Sequence, residues 1–253
     1  MFRQNMIFLL LGHIIGDFYA QTNVMSEKKQ SRFRWVLIHS LIYFIVFMML
    51  AIPFVSYEAF EVSMMASILH AIIDICKFIY VMRMEKMHKY NQNVERKVFL
   101  IDQLLHLLCL FGISYFMVSA DVRLQEMAVL SDFFDVVGIA EVMAATWILT
   151  LLIIHKPANI LIQKVIGTFK PANRQNDFKR DHNAGRLIGT IERIIMVILI
   201  SINQFSAIGL VLTAKSIARY DRISKDEAFA EYYLLGTLIS AAIVIAAATI
   251  LLQ

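Results

Sequence analysis

Seven ionisable side chains lie inside stretches of sequence that are otherwise strongly apolar: His13 and Asp17, His39, His70 and Asp74, and Asp102 and His106. Three of the four stretches carry a His and an Asp at i and i+4, which puts both side chains on one face of a helix about one turn apart. With that spacing a single helix offers two metal ligands, as the paired His of the zincin helix do. A mixed imidazole and carboxylate set suits zinc first, with manganese or iron compatible, and no cysteine joins it to favour a softer metal. The chemistry of such a centre is activation of water: a divalent ion brings the pKa of bound water near 7, and a carboxylate takes the proton. All seven residues are candidate metal ligands, His70, Asp74, Asp102 and His106 foremost, and Asp17, Asp74 and Asp102 are the candidate catalytic carboxylates. Seven donors exceed the four positions of one zinc site, so some stand in an outer ring or two ions are held.

The elements that must position them are membrane helices. The 253 residues are 59% hydrophobic and 17% charged, with a mean hydropathy of +0.65, where soluble domains have about 45–50% apolar and about 25% charged residues. Seven stretches approach or exceed the roughly 20 apolar residues that cross a bilayer. They run from 5 to 22, 36 to 55, 62 to 82, 98 to 118, 133 to 154, 194 to 214 and 232 to 252. The expected fold is an all-α, polytopic transmembrane bundle of about seven segments. Gly12, His13, Gly16 and Asp17 interrupt the first stretch, which reads as a retained helix rather than a cleaved signal peptide. Cys76 and Cys109 each fall within a span, as small buried hydrophobes rather than a disulfide.

Lys and Arg number four between 23 and 35, none between 53 and 61, five between 83 and 97, one between 119 and 132, and seven between 155 and 186. Positive loops face the cytoplasm, so this alternation places the N-terminus outside. It also accounts for the net charge of +4 without a nucleic-acid partner; the bilayer is the partner. The loop from 215 to 231 carries four more basic residues and belongs outside if residues 194–214 cross once. Either that span crosses against the rule, or residues 187–214 form a re-entrant hairpin turning near Asn203 and Gln204. Two halves result: residues 1–120, four helices with the His/Asp cluster, and residues 121–253, with a basic cytoplasmic linker at 156–186. In this topology all seven ionisable residues fall in the cytoplasmic half of the membrane, roughly 5 to 18 Å from the inner helix ends at 1.5 Å per residue.

Neighbouring residues have plainer readings beside functional ones. Gly12 and Gly16, at small-xxx-small spacing, let a neighbouring backbone approach the first helix. Lys77 either holds an anionic group such as phosphate over the metal or snorkels to the interface. Gln21 and Thr22 either orient a ligand or end a helix. Glu192, Arg193, Lys215, Arg219 and Glu231 either bind anionic lipid headgroups or anchor the topology through their basic members.

The segment Gly12-His13-Ile14-Ile15-Gly16-Asp17-Phe18-Tyr19-Ala20-Gln21, followed by His39 and by His70 to Lys77, resembles the N-terminal signature of a family of bacterial multi-pass inner-membrane proteins of unknown function. Residues 191–193, 214–219 and 231–238 are also similar to members of that family. More distantly, the His-x-x-x-Asp helices are similar to those of membrane-bound metal-dependent hydrolases, by analogy of motif. The resemblance implies a bacterial inner-membrane location. The residues and the analogy together lead to a metal-dependent hydrolase working in the cytoplasmic half of the bilayer on a lipid or another membrane-embedded substrate. The rivals are a metal-ion or proton transporter that uses the same cluster, and a noncatalytic scaffold in which the His and Asp residues only fix helix register.

Overall fold

A backbone in hydrocarbon has no water to satisfy its amides, so each apolar stretch must close its hydrogen bonds within itself, as a helix does. The computed structural model describes residues 1–54, 56–125, 127–169 and 178–252, with the backbone alone for Thr168 and residues 178–184. All regular elements among the described residues are helical. Two units divide the chain, Met1–Ala145 and Thr146–Gln253.

In the first unit, α1 (Phe2–His13) runs directly into a π-helical segment, Ile14–Tyr19. Thr22 Oγ1 then caps the short α2 (Asn23–Ser31) by accepting from Met25 N at 3.2 Å. Next come α3 (Phe33–Ala51), α4 (Tyr57–Lys86), α5 (Gln92–Ser119) and the short α6 (Ala128–Val137). Helices α1, α3, α4 and α5 pack into a bundle, and α2 lies against α3 and α4. The bundle reverses the polarity of a soluble protein. On α3 the buried positions are Val36, His39, Tyr43, Phe47 and Ala51, at helical spacing, while Leu41, Ile45 and Met49 are 58%, 45% and 63% exposed. On α5, Ile101, Leu104, Leu108, Phe111 and Tyr115 point outward, with Asp102 and His106 inside. Apolar surface of this extent is covered by lipid.

The bundle has two layers. Phe8 and Leu9 of α1, Phe47 and Ala51 of α3, Val62 and Ala66 of α4, and Leu110, Ile113 and Met117 of α5 form one apolar core. Each ionisable residue lies on the other side of these positions along its helix. The polar layer therefore shares its end of the bundle with α2 and the basic segment 83–97.

The second unit contains most of α7 (Glu141–Ile166), a 3₁₀ turn at Gly167–Phe169, then α8 (Phe178–Ser201), α9 (Phe205–Ile217), α10 (Tyr220–Ile223) and α11 (Glu227–Leu252). Its core joins Ile154, Met196, Val197, Ile200, Ile208, Ala241, Val244 and Ala248.

Among the described residues, α3, α4, α5, α7 and α11 are the five helices long and apolar enough to cross a membrane. The other two expected segments take special forms. Residues 5–22 are the α1 and π-helical run. Residues 194–214 are broken at Asn203, whose φ of 58° is left-handed. There Gln204 N donates to Leu199 O at 2.7 Å and Asn203 N to Ile200 O at 3.0 Å, the paired bonds of a Schellman stop. The chain doubles back, and Lys215 on α9 meets Glu192 on α8 at 2.5 Å. This is the hairpin alternative. It brings the basic segment 215–231 back to the end of the unit at which α8 began, which removes the charge conflict of a single crossing. His88 and Asp121 end α4 and α5 with the same left-handed geometry, at φ 54° and 52°.

Two sequence expectations change. Of the linker placed at 156–186, residues 156–166 continue α7 and 178–186 belong to α8, while 170–177 lie outside the described residues. Both cysteines are free as expected, but Cys76 is exposed on α4 and Cys109 is half-buried, because an apolar span in lipid has an outward face as apolar as its inward one.

Gly12 and Gly16 do admit a close neighbour, but it is a pair of rings rather than a backbone. A Cβ at Gly12 would run into the Phe47 ring. Gly12→Leu is expected to destabilise the detergent-solubilised protein by about 1–3 kcal/mol through overpacking. Combined with Phe47→Ala, thermal melts should show less loss than the two single changes added together.

Candidate metal centre

The π-helical turn is the first device that shapes the site. His13 is the last α-helical residue, and Asp17 sits inside the segment whose bonds span five residues, closed by Ala20 N donating to Ile15 O at 2.8 Å. Such a turn inserts one residue into the helical register and re-aims the side chains beyond it, and it recurs at functional sites. Gly16 is required there, because a Cβ would stand 2.6 Å from Tyr43 Cδ2. The Tyr43 ring thus reaches the centre over a bare helix surface.

All seven predicted side chains meet in one buried cluster, and none is more than 7% exposed. His39 Nε2 approaches Asp17 Oδ1 at 3.2 Å and Asp74 Oδ2 at 3.4 Å. His70 lies between two carboxylates, with Nε2 at 3.8 Å from Asp17 Oδ1 and Nδ1 at 3.9 Å from Asp74 Oδ2. His106 Nδ1 is 3.9 Å from Asp102 Oδ1. The His70 and His106 rings are 4.4 Å apart between centroids, and those of His13 and His106 are 5.2 Å apart. Three donor sets have ligand atoms within 4.8 Å of one another: His13, Asp17 and His70; His39, His70 and Asp74; and Asp74, Asp102 and His106. His70 and Asp74 each belong to two sets.

The donor chemistry fits a divalent ion. Both ring nitrogens of His39, His70 and His106, and one oxygen each of Asp74 and Asp102, are buried without a hydrogen-bond partner among the described residues. Buried polar atoms are normally satisfied, and these eight make no hydrogen bond although several lie 3.2 to 3.9 Å from a carboxylate oxygen or ring nitrogen; coordination would satisfy them. Neutral imidazole and carboxylate are the ligands of zinc, manganese and iron sites.

Four further side chains complete the cluster. Lys29 Nζ donates to Asp74 Oδ2 at 2.8 Å, with the lysine side chain 10% exposed. Lys77 Nζ donates to Asp102 Oδ2 at 2.7 Å. Gln103 Nε2 donates to Asp17 Oδ2 at 3.0 Å and reaches Asp102 Oδ2 at 3.3 Å, linking the π-helical end of the first helical run to α5. Tyr43 stacks on His70, with centroids 3.6 Å apart and planes at 17°, and shares a 3.2 Å hydrogen bond with His13 Nδ1. Stacking fixes the His70 ring plane, and the hydroxyl holds His13, the kind of support that orients ligands.

Lys29, Tyr43 and Gln103 escaped the sequence reading. Lys29 counted only as a positive loop charge, yet α2 folds back to bring it onto Asp74. Tyr43 had a usable signal, since it follows His39 by four residues on the same helix face. Gln103 is a lone amide in an apolar run beside Asp102. Lys77 neither snorkels nor stands free, because it is paired with Asp102. Thr22 caps α2.

The family described as Protein of unknown function (DUF3307) matches residues 6–134, a range that includes every residue of the cluster. The similar-looking C-terminal segments lie outside it. No curated protein and no solved structure matches the chain.

Removing one partner of a buried ion pair strands the other charge, at a cost of about 3–5 kcal/mol. Lys29→Met is therefore expected to lower the unfolding midpoint strongly. Adding Asp74→Asn to it should recover stability relative to the sum of the single variants, in a double-mutant cycle followed by thermal unfolding in detergent.

Proposed function

The chain belongs to the DUF3307 family, and from that premise we propose that it is a membrane-embedded metal-dependent hydrolase whose centre lies in the cytoplasmic half of the bacterial inner membrane. The observation that carries this reading is the buried convergence of four imidazoles and three carboxylates from four helices, with eight of their polar atoms making no hydrogen bond among the described residues. His70, Asp74, Asp102 and His106 are the foremost ligands, with His39, His13 and Asp17 completing the ring. Zinc suits the set best, and manganese or iron is compatible. Asp74 and His70, each shared between two donor sets, suit a centre of two ions.

When bound, the ion supplies a water acidified toward neutrality and an electrophile for the substrate oxygen. The chain supplies the rest. Asp17 is the one carboxylate of the three without an ammonium against it, so it is the base that takes the proton of the attacking water. The water oxygen bonds to the phosphorus or acyl carbon, the ester bond breaks, and the leaving oxygen takes the proton that Asp17 had accepted. Two lysines and three carboxylates leave one negative charge in the cluster, which a dication makes positive. That balance favours an anionic substrate, a phosphoester of a membrane lipid, with Lys29 and Lys77 turning from Asp74 and Asp102 to its oxygens.

The apolar layer of Phe8, Leu9, Phe47, Val62, Leu110 and Met117 supports a fixed centre over a transport path, because it fills the bundle beyond the cluster with packed hydrocarbon. The hairpin at Asn203 supports the N-outside orientation, since with it the basic segment 215–231 no longer runs against the positive-inside count.

Elemental analysis tests the centre. Detergent-purified protein is expected to retain at least one equivalent of zinc or manganese per chain, and His70→Ala or Asp102→Ala to lose it. No stoichiometric metal after reconstitution with both ions would overturn the reading. Incubation of the loaded protein with extracted bacterial phospholipids tests the reaction. Released headgroup or phosphate is expected, and Asp17→Asn should slow release roughly 10²- to 10⁴-fold. Metal without product would leave the centre standing and remove the hydrolase.

A further inference from the structure

The second unit buries a different charge. Arg193 on α8 is 1% exposed, the largest fully buried side chain among the described residues. Its Nε donates to Ile154 O at 2.6 Å, Nη1 to Ser240 Oγ at 3.2 Å, and Nη2 to Asn159 Oδ1 at 2.8 Å and Thr190 Oγ1 at 3.1 Å. Four of the five guanidinium N–H groups are thereby held, but by neutral acceptors. No carboxylate of the described residues comes within the 4.0 Å of an ion pair. A buried charge without a counter-ion is costly, and the fifth N–H, on Nη1, remains.

Arg193 lines a cavity of about 290 Å³ whose wall also carries Arg186, Lys215, Arg219 and Arg222, and Glu192 is the one acid among its described lining residues. That acid is already paired with Lys215. Gly189 keeps the approach to Arg193 open, since a Cβ there would stand 3.3 Å from Nη1. The Arg222 guanidinium lies 4.1 Å from the Phe229 ring centroid, which fixes it at the rim. The cavity lies between the end of α7, the middle turns of α8, the end of α9 and the first half of α11. Where apolar helices end, the membrane meets water. Ile162, Ile166 and Ile188 in the same wall give the cavity an apolar side next to its cationic one.

We propose that this cavity binds a phosphate-bearing anion, with the Arg193 charge at its floor and Arg219 and Arg222 closing on the phosphate oxygens from the rim. Arginine forks match phosphate oxygens, and the isoleucine wall suits the first methylenes of a phospholipid below its headgroup. The site is independent of the His/Asp cluster and shares no residue with it.

The test uses the full chain purified in a zwitterionic detergent. Dihexanoyl phosphatidylglycerol is titrated against thermal stability and native mass, beside dihexanoyl phosphatidylcholine and inorganic phosphate. Phosphatidylglycerol is expected to bind and stabilise, with phosphatidylcholine at least tenfold weaker. Arg219→Gln with Arg222→Gln, two changes at the cavity rim, should weaken phosphatidylglycerol roughly 10- to 30-fold, in line with the contribution of each basic residue at an anionic headgroup. Displacement by millimolar inorganic phosphate assigns the site to free phosphate, and failure of phosphate to displace assigns it to a lipid headgroup. Equal binding of the two lipids, or unchanged binding in the double variant, overturns the proposal.

Discussion

The first unit depends on a single constraint: charged and polar side chains placed in hydrocarbon must satisfy one another, because no solvent is there to do it. His13, Asp17, His39, His70, Asp74, Asp102 and His106 come from four helices, and each is useful only where the other three helices present theirs. The antiparallel order of α1, α3, α4 and α5 puts all seven at one level. The apolar layer beyond them fixes that level, since sliding one helix by a turn would drive Phe47 or Leu110 into the polar cluster. Lys29 extends the same logic beyond the spans, drawing α2 back across the end of the bundle.

The ring stack at the centre is a consequence of small residues on the first helical run. Because Gly12 and Gly16 carry no side chain, the ring edges of Phe47 and Tyr43 of α3 close directly on it, and Tyr43 can cover His70. The π-turn acts with them. It changes the direction of Asp17 without moving His13, and so lets one short helical stretch face both His39 and His70. A regular α-helix carries the same residues in sequence but cannot deliver them to the same partners.

The second unit shows the same constraint with the opposite sign. There a cation is buried among neutral acceptors, one of them the Ile154 carbonyl of α7. The hairpin at Asn203 brings Lys215 and Arg219 alongside the turns of α8 that carry Gly189 and Arg193. Unlike the first unit, the described residues of this cluster carry more positive than negative charge.

The sequence alone determined the all-helical membrane architecture, because hydropathy and helix length are local properties that lipid enforces directly. It also determined the seven members of the polar cluster. A His or Asp within an apolar run is conspicuous, and i,i+4 spacing with alternating topology is enough to put them at one depth. The choice at residues 187–214 needed the fold, because Asn203 is only permissive of a left-handed stop; the pairing of Lys215 with Glu192 made the turn a hairpin. The outward position of Cys76 needed it as well, since the two faces of a span look alike in composition. Lys29, Tyr43 and Gln103 joined the cluster only in three dimensions. Tyr43 shares a helix face with His39, but nothing in the chain marks Lys29 or Gln103 for burial, and what places all three is the return of α2, the bare surface of the first helical run and the twist of the π-turn, each a property of packing between segments distant in sequence.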